Sequence, residues 1–392
     1  MDSSIGLGSS IGTPDFREAI EKATDTTWEN GHSVRTLPNG DLFFAAMLRE
    51  VCGAQKSITL ETFAFVRAPV TRRFSRSLAE RARAGVEVKL ILDAVGSRRA
   101  GEENLRVMRE AGVEVRLFHP MNVLRPWHSN NRTHRKILVV DGKVAFTGGA
   151  GFAQAWQGDA RTRKEWRDTQ YEIRGPAVAG FQNAFLENWQ ELTGQDLRGP
   201  SYFPPLASAG NLKVQVVADD PWGGENPIAN GYVAAINGAR KSLVLQQSYF
   251  VPNRELRNLL LKAAGRGVAV EVMVPDEEVD SKPTRQASQN HWKEFLEAGV
   301  KIYQYERSMM HGKLLVADGR FSIVGSANLD DRSLFINDEI NVHVDSAIFS
   351  REQLLMFEQD KKHCREITMT NLHSVLEPWY LRFFSGLIES QL

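Results

Sequence analysis

The sequence predicts an α/β protein that consists of two homologous halves packed as a pseudo-dimer. The first observation is a repeated motif: the segment His134–Asp141 recurs as His311–Asp318, with the same spacing of histidine, lysine and aspartate around an apolar run. The second is that Ser57–Phe65, rich in β-branched and aromatic residues, recurs as Ser242–Phe250. Helical patterns separate the strand-like runs in both copies, which favours partly parallel sheets covered by helices.

The first half follows a lead segment, residues 1–37, which we expect to be loosely attached and to hold one helix at Pro14–Thr24. Asp15 and Glu18 suit the first turn of that helix, because carboxylates favour helix N-termini. The first domain is then expected over residues 38–200. Its predicted elements are, in order, helix Asp41–Cys52, strand Ser57–Phe65, helix Val70–Ala84, strand Val86–Asp93, another helix and strand Val113–Phe118.

The second domain, expected over residues 201–392, repeats this order. Gly267–Val274 corresponds to the second strand of the first half, and Ala298–Tyr303 corresponds to the third. Segment 194–211 between the halves is rich in proline and glycine, as linkers are. The first half carries roughly ten extra residues, around Pro120–Thr133, just before its motif. We expect this insert to form a loop that overhangs the site.

Composition excludes several classes of protein. The 48 basic and 48 acidic residues balance, so a nucleic-acid partner is not expected and any positive field must be local. Cys52 and Cys364 lie far apart without ligand spacing, which predicts free thiols in a reducing compartment rather than a disulfide framework. Neither a secretory signal nor an apolar run long enough to span a membrane is present in the sequence.

The repeated motif indicates phosphate-ester chemistry. Side chains alternate faces along a strand, so His134 and Lys136 should point to the same side, as should His311 and Lys313. Lysine ammonium groups neutralise phosphate oxygens, and an imidazole can attack phosphorus or donate a proton near neutral pH. One copy alone would be a weak signal, since a solvated strand end could show it, but two copies could converge on one phosphate without a metal.

Further residues extend the pattern. The second motif is followed by Gly325–Asn328, then by Asp331–Ser333 and Asn337–Glu339. With these segments the chain resembles the phospholipase D superfamily, from about Gly40 to about Phe357. The resemblance implies that each half is an α/β/α sandwich and that catalysis proceeds through a phosphohistidine intermediate, with no metal and no cofactor.

The resemblance also implies roles for the motif residues. His134 is expected to be the nucleophile and His311 the general acid, then base, although the two-fold repeat makes the two roles nearly interchangeable. Lys136 and Lys313 would bind the phosphate. Further phosphate or substrate contacts would come from Asn328 and Ser326. Asp141 and Asp318 lie at odd offset from the histidines, and we interpret them as structural residues that tie each strand end to neighbouring backbone or lysine.

Each imidazole needs an acceptor on its far nitrogen to fix its tautomer. Acidic residues downstream of each motif supply it in the family, which identifies Asp168 and Glu339 here. The resemblance implies a crossed pairing, His134 with Glu339 and His311 with Asp168.

The first half departs from the family pattern. Counting from its histidine, the position equivalent to Asn328 is Gly151, within the run Gly148–Gly151. The serine and the asparagine of the family pattern are therefore absent from this half, and we expect an asymmetric site. The glycines themselves favour a tight turn over a phosphate cradle.

Within the superfamily, the second half is most similar to bacterial cardiolipin synthases, through Ser248–Pro252 and Gly325–Ser333. That implies phosphatidyl transfer between phospholipids; hydrolysis by the same residues, a phospholipase D activity, is the alternative. A nuclease is disfavoured by the net charge, and a non-enzymatic lipid-binding module by two intact motifs. Lys282 and Arg285 resemble a stretch that borders the site in such enzymes, with solvated loop and head-group contact equally compatible.

A lipid enzyme without a membrane span has to visit the membrane as a peripheral protein, and we expect a cytoplasmic location; the sequence leaves the oligomeric state open. Two apolar segments are candidate contacts. One is the insert with Met121, Val123, Leu124 and Trp127. The other is the C-terminal segment with Leu376, Trp379, Tyr380, Phe383, Leu387 and Ile388 at helical spacing. We expect the C-terminal face to pack on the second domain and the insert to contact lipid.

Overall fold

The computed structural model describes residues 4–121, 130–219, 226–388 and 391. Its helices are α1 (Pro14–Thr24), α2 (Asn39–Gly53), α3 (Pro69–Arg83), α4 (Glu102–Glu110), α5 (Val178–Thr193), α6 (Pro227–Gly238), α7 (Arg254–Gly265), α8 (Lys282–Gln289), α9 (Trp292–Glu297), α10 (Asp331–Phe335), α11 (Ala347–Lys361), α12 (Leu372–Val375) and α13 (Trp379–Leu387). A short 3-10 turn spans Gln154–Trp156.

The strands of the first half are β1 (Glu29–Pro38), β2 (Ser57–Thr62), β3 (Glu87–Asp93), β4 (Glu114–Phe118), β5 (Lys136–Val140), β6 (Val144–Gly148) and β7 (Thr169–Arg174). Those of the second half are β8 (Leu212–Ala218), β9 (Ser242–Gln247), β10 (Phe250–Val251), β11 (Ala269–Pro275), β12 (Lys301–Tyr305), β13 (Lys313–Ala317), β14 (Phe321–Gly325), β15 (Leu329–Asp330), β16 (Ile340–Asp345) and β17 (Cys364–Ile367).

The two halves share one topology. The first half has the strand order β1-β7-β6-β5-β2-β3-β4, and the second repeats it as β8-β16-β14-β13-β9-β11-β12, with β17 added at its edge. Strands β2, β3 and β4 are parallel, as are β9, β11 and β12. The expected homologous α/β halves with partly parallel sheets are therefore confirmed.

Antiparallel pairing of β1 with β8 joins the halves edge to edge, so that the described residues form one sheet of 15 strands. Helices cover both faces of this sheet. Strand β5 is buried on both faces, which explains why its sequence is apolar after Lys136. Ile137 and Val139 face a core shared by both halves, while Leu138 and Val140 face the core of the first half.

The lead segment is packed into the fold, which corrects the expectation of loose attachment. Helix α1 begins as predicted, with Pro14 in its first turn and the Thr13 hydroxyl accepting a hydrogen bond from the Phe16 backbone. Phe16 and Ile20 are buried in the core of the second half, and β1 pairs with strands of both halves. The predicted boundaries near residues 37 and 200 remain a proposal.

The C-terminal helix α13 differs from the expectation. It packs against α8 through polar contacts: Asn290 donates to the backbone oxygen of Arg382, and Ser385 donates to Gln286. Its large apolar side chains point away from these contacts. Trp379 is 73% exposed, and Tyr380, Phe383, Phe384 and Ile388 are also exposed. The expectation that this apolar face packs on the second domain is therefore wrong for Trp379, Tyr380, Phe383 and Ile388, because the helix uses its polar side for packing. Leu376 does pack against the core of the second half.

Most of the predicted overhanging insert, including Val123, Leu124 and Trp127, lies outside the described residues. Met121 precedes this gap and is 78% exposed. Cys52 and Cys364 are free thiols, as expected. In the parts of the chain that the structure describes, no helix combines the length and the apolar character that crossing a bilayer requires.

Candidate active site

The two motif histidines lie just before their strands. Strand β5 begins at Lys136 and strand β13 begins at Lys313, so each histidine precedes the sheet by two residues rather than lying within it. Each is held by backbone of the opposite half instead. The His134 amide donates to the Asp338 carbonyl at 2.9 Å, and the His311 amide donates to the Arg167 carbonyl at 2.7 Å.

These backbone hydrogen bonds between the halves bring each histidine beside a carboxylate of the other half. His134 Nδ1 lies 2.7 Å from Glu339 Oε1, and His311 Nδ1 lies 2.7 Å from Asp168 Oδ2. The structure thus shows the crossed geometry that the family resemblance implied. Because Nδ1 of each ring donates to a carboxylate, Nε2 is the nitrogen left for chemistry.

Each motif lysine donates a hydrogen bond to the backbone of the histidine in its own motif, and the charge of Lys313 acts on Lys136. Lys136 Nζ donates to the His134 carbonyl at 2.7 Å, and Lys313 Nζ donates to the His311 carbonyl at 2.8 Å. Burial lowers the pKa of both lysines, well below the ordinary range for Lys136, whose pKa the charge of Lys313 lowers further. A phosphate between them would favour their charged forms and offset this repulsion.

The pKa values of the paired groups fit an acid–base site. Burial lowers the pKa of His134 to about 4 and also lowers that of His311. Burial raises the pKa of Glu339, but His134 and Lys136 outweigh it and hold that carboxyl below its ordinary value. For Asp168, His311 and Lys313 likewise outweigh burial. His134 is therefore neutral near pH 7, and both partner carboxyls are ionised.

A cavity of about 480 Å³ is lined by both histidines and Lys136. Its two sides differ in character. The remaining lining from the first half, Arg132 apart, is mostly apolar and consists of Phe63, Ala64, Val95, Gly149, Gly151 and Trp156. The second half contributes polar residues: Tyr249, Asp280, Asn328, Asp330, Arg332, Ser333 and Asn337.

Of the two predicted substrate ligands Asn328 and Ser326, only Asn328 lines the cavity. Asn328 lines the cavity, and its Oδ1 accepts from Ser248, whose hydroxyl in turn accepts from Lys313 at 2.7 Å. Ser326 is fully buried and donates to Glu339, while the Ile340 amide donates to its hydroxyl. Ser326 therefore positions a carboxylate rather than lining the cavity, which corrects its expected substrate contact.

The first half replaces the missing serine by a tryptophan. The position equivalent to Ser326 is Gly149, where a Cβ atom would lie 2.4 Å from Asp168 Oδ1 and leave no room for a side chain. Trp156 Nε1 donates to Asp168 Oδ2 at 2.9 Å in its place. A Cβ atom at Gly151 would lie 2.9 Å from Ala64 Cβ and 3.3 Å from the Trp156 ring, so this glycine leaves room for both neighbours.

Aromatic rings surround the two imidazoles unequally. Trp166 stacks on His311 with ring centroids 5.3 Å apart, and Trp156 meets the same ring edge-on at 5.3 Å. His134 contacts Phe63, which corresponds to Ser248 because Thr62 and Gln247 pair with the two motif lysines. The signal in the sequence that could have pointed to Trp156 was the absence of serine and asparagine from the glycine run.

The predicted contacts at Lys282 and Arg285 are not formed with this cavity. Both residues lie in α8 rather than in a loop; Lys282 is exposed, and Arg285 pairs with Glu377 of the C-terminal segment. Neither lines the cavity, whereas Asp280 from the preceding loop does. A contact of these two side chains with the cavity is therefore not formed, and a head-group contact outside it stays a prediction.

Asp141 and Asp318 have equivalent positions at the strand ends. Asp141 Oδ1 accepts from the backbone of Gln55, Lys56 and Ser57, and Asp318 Oδ1 accepts from Arg240, Lys241 and Ser242. Both aspartates have a φ of 53° and are followed by glycine in left-handed conformation, as tight hairpins require. These carboxylates join the start of β2 or β9 to the motif hairpin, away from the imidazoles.

Within the described ranges, no group of three or more His, Cys, Asp and Glu side chains has an arrangement that could hold a metal ion. The polar groups that meet at the histidines are two imidazoles, two ammonium groups and two carboxylates. This set can provide a nucleophile, an acid and positive charge at one phosphorus atom.

Comparisons with known proteins agree with this geometry. A family model described as "Cardiolipin synthase, PLD-like domain" matches residues 47–160 and 232–361, so that both halves are included. The cardiolipin synthase of Geobacillus kaustophilus is 37% identical over 310 residues, covering 78% of this chain and 61% of that protein. A cardiolipin synthase of Clostridium perfringens is 33% identical over 360 residues, covering 87% and 74%.

The chain spans 61% and 66% of the length of two Geobacillus relatives that it matches. Among solved structures, phosphatidylserine synthase of Haemophilus influenzae has a TM-score of 0.69 at 13% identity and covers 96% of this chain and 100% of that one. At that identity the likeness shows the fold alone. The repeated motifs, the shared topology of the halves and these matches place the chain in the phospholipase D superfamily, as a member of the family of cardiolipin synthase, PLD-like domains.

Proposed function

We propose that this protein transfers a phosphatidyl group from one phospholipid molecule to the hydroxyl group of another, as a cardiolipin synthase does. The observation that carries the proposal is the convergence of His134 and His311, each oriented by a carboxylate of the other half, on one cavity with Lys136. Relatives of which this chain covers two thirds or more are named cardiolipin synthases.

In the first step, His134 Nε2 attacks the phosphorus of the donor lipid. The bond between phosphorus and the head-group oxygen breaks, and His311 gives its proton to the leaving alkoxide. The phosphatidyl group remains on His134 as a phosphohistidine. Lys136 and Asn328, which line the cavity, and Lys313, which donates to Ser248 beside Asn328, would bind the nonbridging oxygens, where negative charge accumulates.

In the second step, the hydroxyl of an acceptor attacks the phosphohistidine. His311, now neutral, removes the hydroxyl proton, and the bond between phosphorus and His134 breaks. The product is a new phosphodiester, and both histidines return to their starting protonation states. With water as the acceptor, the same residues would hydrolyse the lipid.

The unequal surroundings of the imidazoles support this order of roles. A nucleophile has to be neutral, and the pKa of His134 is lowered to about 4. An acid has to carry a proton, and the face of Trp166 stacked on His311 would favour the positive imidazolium through a cation–π interaction. The nucleophile is therefore assigned to His134.

We further propose that the protein works at the cytoplasmic surface of a membrane, as a peripheral protein. The exposed face of α13 (Trp379, Tyr380, Phe383, Phe384 and Ile388) has the composition of an interfacial helix, with tryptophan and tyrosine among apolar side chains. Helix α8, on which α13 packs, follows directly after Asp280 of the cavity lining. A phospholipid bilayer is the occupant that suits both the face and the proposed substrate.

The test is lipid analysis after incubation with phosphatidylglycerol vesicles, with and without added glycerol. Transfer would yield cardiolipin and free glycerol, and added glycerol would drive the reaction backward. Phosphatidic acid as the sole product would show hydrolysis instead. Unchanged lipid, with a variant lacking His134 as the blank, would contradict both activities.

A further inference from the structure

We propose that Arg132 and Arg332 form a second anion subsite in the catalytic cavity, which binds the phosphodiester of the acceptor lipid. The inference rests on the proposed phosphatidyl transfer and assigns the residues that would hold the phosphodiester of the acceptor, a group that glycerol and water lack. Both arginines line the cavity, on segments that flank the two motifs.

Arg132 is buried and held in place by backbone. Its Nε donates to the Asn131 carbonyl at 2.7 Å and its Nη2 to the His119 carbonyl at 2.6 Å. Nη1 is also buried, but it has no hydrogen-bond partner among the described residues. A buried guanidinium nitrogen without an acceptor is costly, and an anionic oxygen in the cavity would satisfy it.

Arg332 approaches the same place from α10. Its Nη2 donates to Asn130 Oδ1 at 2.9 Å and its Nη1 to the Asn130 carbonyl at 3.2 Å, which fixes the guanidinium plane. Asn130, which anchors this guanidinium, lies two residues before Arg132, and both arginines line the same cavity. Two arginines that line one cavity can both contact a phosphate group there.

Acidic groups nearby offset part of this charge. Asp93 Oδ2 forms an ion pair with Arg132 Nη1 at 3.6 Å, which is too long for a hydrogen bond, so the Nη1 hydrogens stay available to an anion. Asp330 also lines the cavity, but burial raises its pKa to about 7, so it carries only part of a negative charge at neutral pH. Asn337 lies in the same lining with a buried Oδ1 that has no partner among the described residues, and it could accept from the acceptor hydroxyl.

The cavity has room for this second group. At about 480 Å³ it is large enough for a drug-sized ligand, which is more than one phosphate group needs. The reacting phosphate is assigned to the motif lysines and Asn328. Arg132 and Arg332 then remain for a second phosphate, on the polar side of the cavity.

The experiment separates the acceptor from the donor. A short-chain phosphatidyl-p-nitrophenol serves as donor, because its release of nitrophenol reports the first step alone and its leaving group carries no second phosphate. The phosphatidyl group is then distributed among water, glycerol and glycerophosphoglycerol, which differ in the phosphodiester. We expect Arg332→Gln to lower transfer to glycerophosphoglycerol at least tenfold relative to transfer to glycerol.

Arg332→Lys keeps the positive charge but loses the bidentate guanidinium group. It should give an intermediate ratio of transfer to glycerophosphoglycerol over transfer to glycerol. Arg132→Lys tests the buried partner, with a melting curve to establish that it is folded. Arg106→Gln, an exposed arginine of α4, is the matched control and should leave the ratio at its wild-type value.

Equal losses for both acceptors, or an unchanged ratio, would overturn the subsite. If the wild-type protein releases no nitrophenol, the proposed function fails instead, and the inference that rests on it fails with it.

Discussion

The indole nitrogen of Trp156 donates a hydrogen bond to Asp168 Oδ2 at 2.9 Å, and the same oxygen accepts from His311 Nδ1. In the other half, the hydroxyl of Ser326 has the equivalent role toward Glu339. The two histidine–carboxylate pairs are therefore related by the internal repeat, but different chemical groups donate to their carboxylates. This difference allows the two histidines to be tested separately.

We predict that Trp156→Phe moves the alkaline limb of the kcat/KM profile to higher pH. Losing the indole donor makes the Asp168 carboxylate more basic, which raises the pKa of His311, the proposed acid. Asp168→Asn should move the same limb to lower pH, because the negative charge of Asp168 holds the pKa of His311 up. We expect kcat to fall about tenfold in Trp156→Phe, in line with the loss of one hydrogen bond to a charged group.

Two control variants accompany this measurement. Trp189→Phe removes another buried indole, far from the site, and should leave the profile as it is. Ser326→Ala should shift the acid limb upward instead, since it acts on Glu339 and hence on His134. A shift of the acid limb in Trp156→Phe would contradict the assignment of His311 as the acid.

Exchanging either histidine for alanine should abolish turnover of natural phospholipids, because both steps need both imidazoles. The nitrophenyl donor distinguishes the two roles, since nitrophenol leaves without help from an acid. We predict that His311→Ala still gives a burst of nitrophenol and retains labelled phosphatidyl on His134 after rapid denaturation at alkaline pH. His134→Ala should give neither, and label on His311 would reverse the assignment.

Lys136→Met and Lys313→Met should each lower kcat by about 10²–10³, since each removes a positive charge from the developing phosphorane. Their melting temperatures should not fall, because both ammonium groups are buried at a cost that a methionine does not have. Lys143→Met, on the exposed hairpin, is the control for charge alone.

Treatment with EDTA should leave the activity intact, because the lysines stand where other phosphodiesterases place a metal ion. Activity that is lost to the chelator and restored by a divalent cation would contradict this mechanism.

The double variant Phe383→Ser/Phe384→Ser should bind phospholipid vesicles more weakly and melt within a few degrees of the wild-type protein. Both side chains are exposed, at 57% and 63%, so their removal leaves no cavity in the core. The measurements are vesicle co-sedimentation and a melting curve. Ile348→Ser, an 85% exposed residue of α11, is the matched control for losing apolar surface elsewhere. A large drop in melting temperature would show that the face packs within the protein.

The sequence alone was sufficient to predict the repeat, the α/β halves and the two His–Lys pairs, because these depend on local periodicity and on spacing along one strand. It also indicated an asymmetric site, since Gly149 and Gly151 stand where the other half has Ser326 and Asn328. The crossed carboxylates could be named only through the family resemblance, since they lie more than 140 residues from their histidines.

Only the tertiary structure showed what fills the space beside those glycines, and that the C-terminal helix presents its apolar face to solvent. It likewise showed that Arg285 pairs with Glu377, while Arg132 and Arg332 both line the cavity. These residues are far apart in the sequence, and where the two halves come together the distances depend on how the two sheets are joined at β1 and β8. Local propensity and motif spacing carry no information about that geometry, because it is fixed by long-range packing.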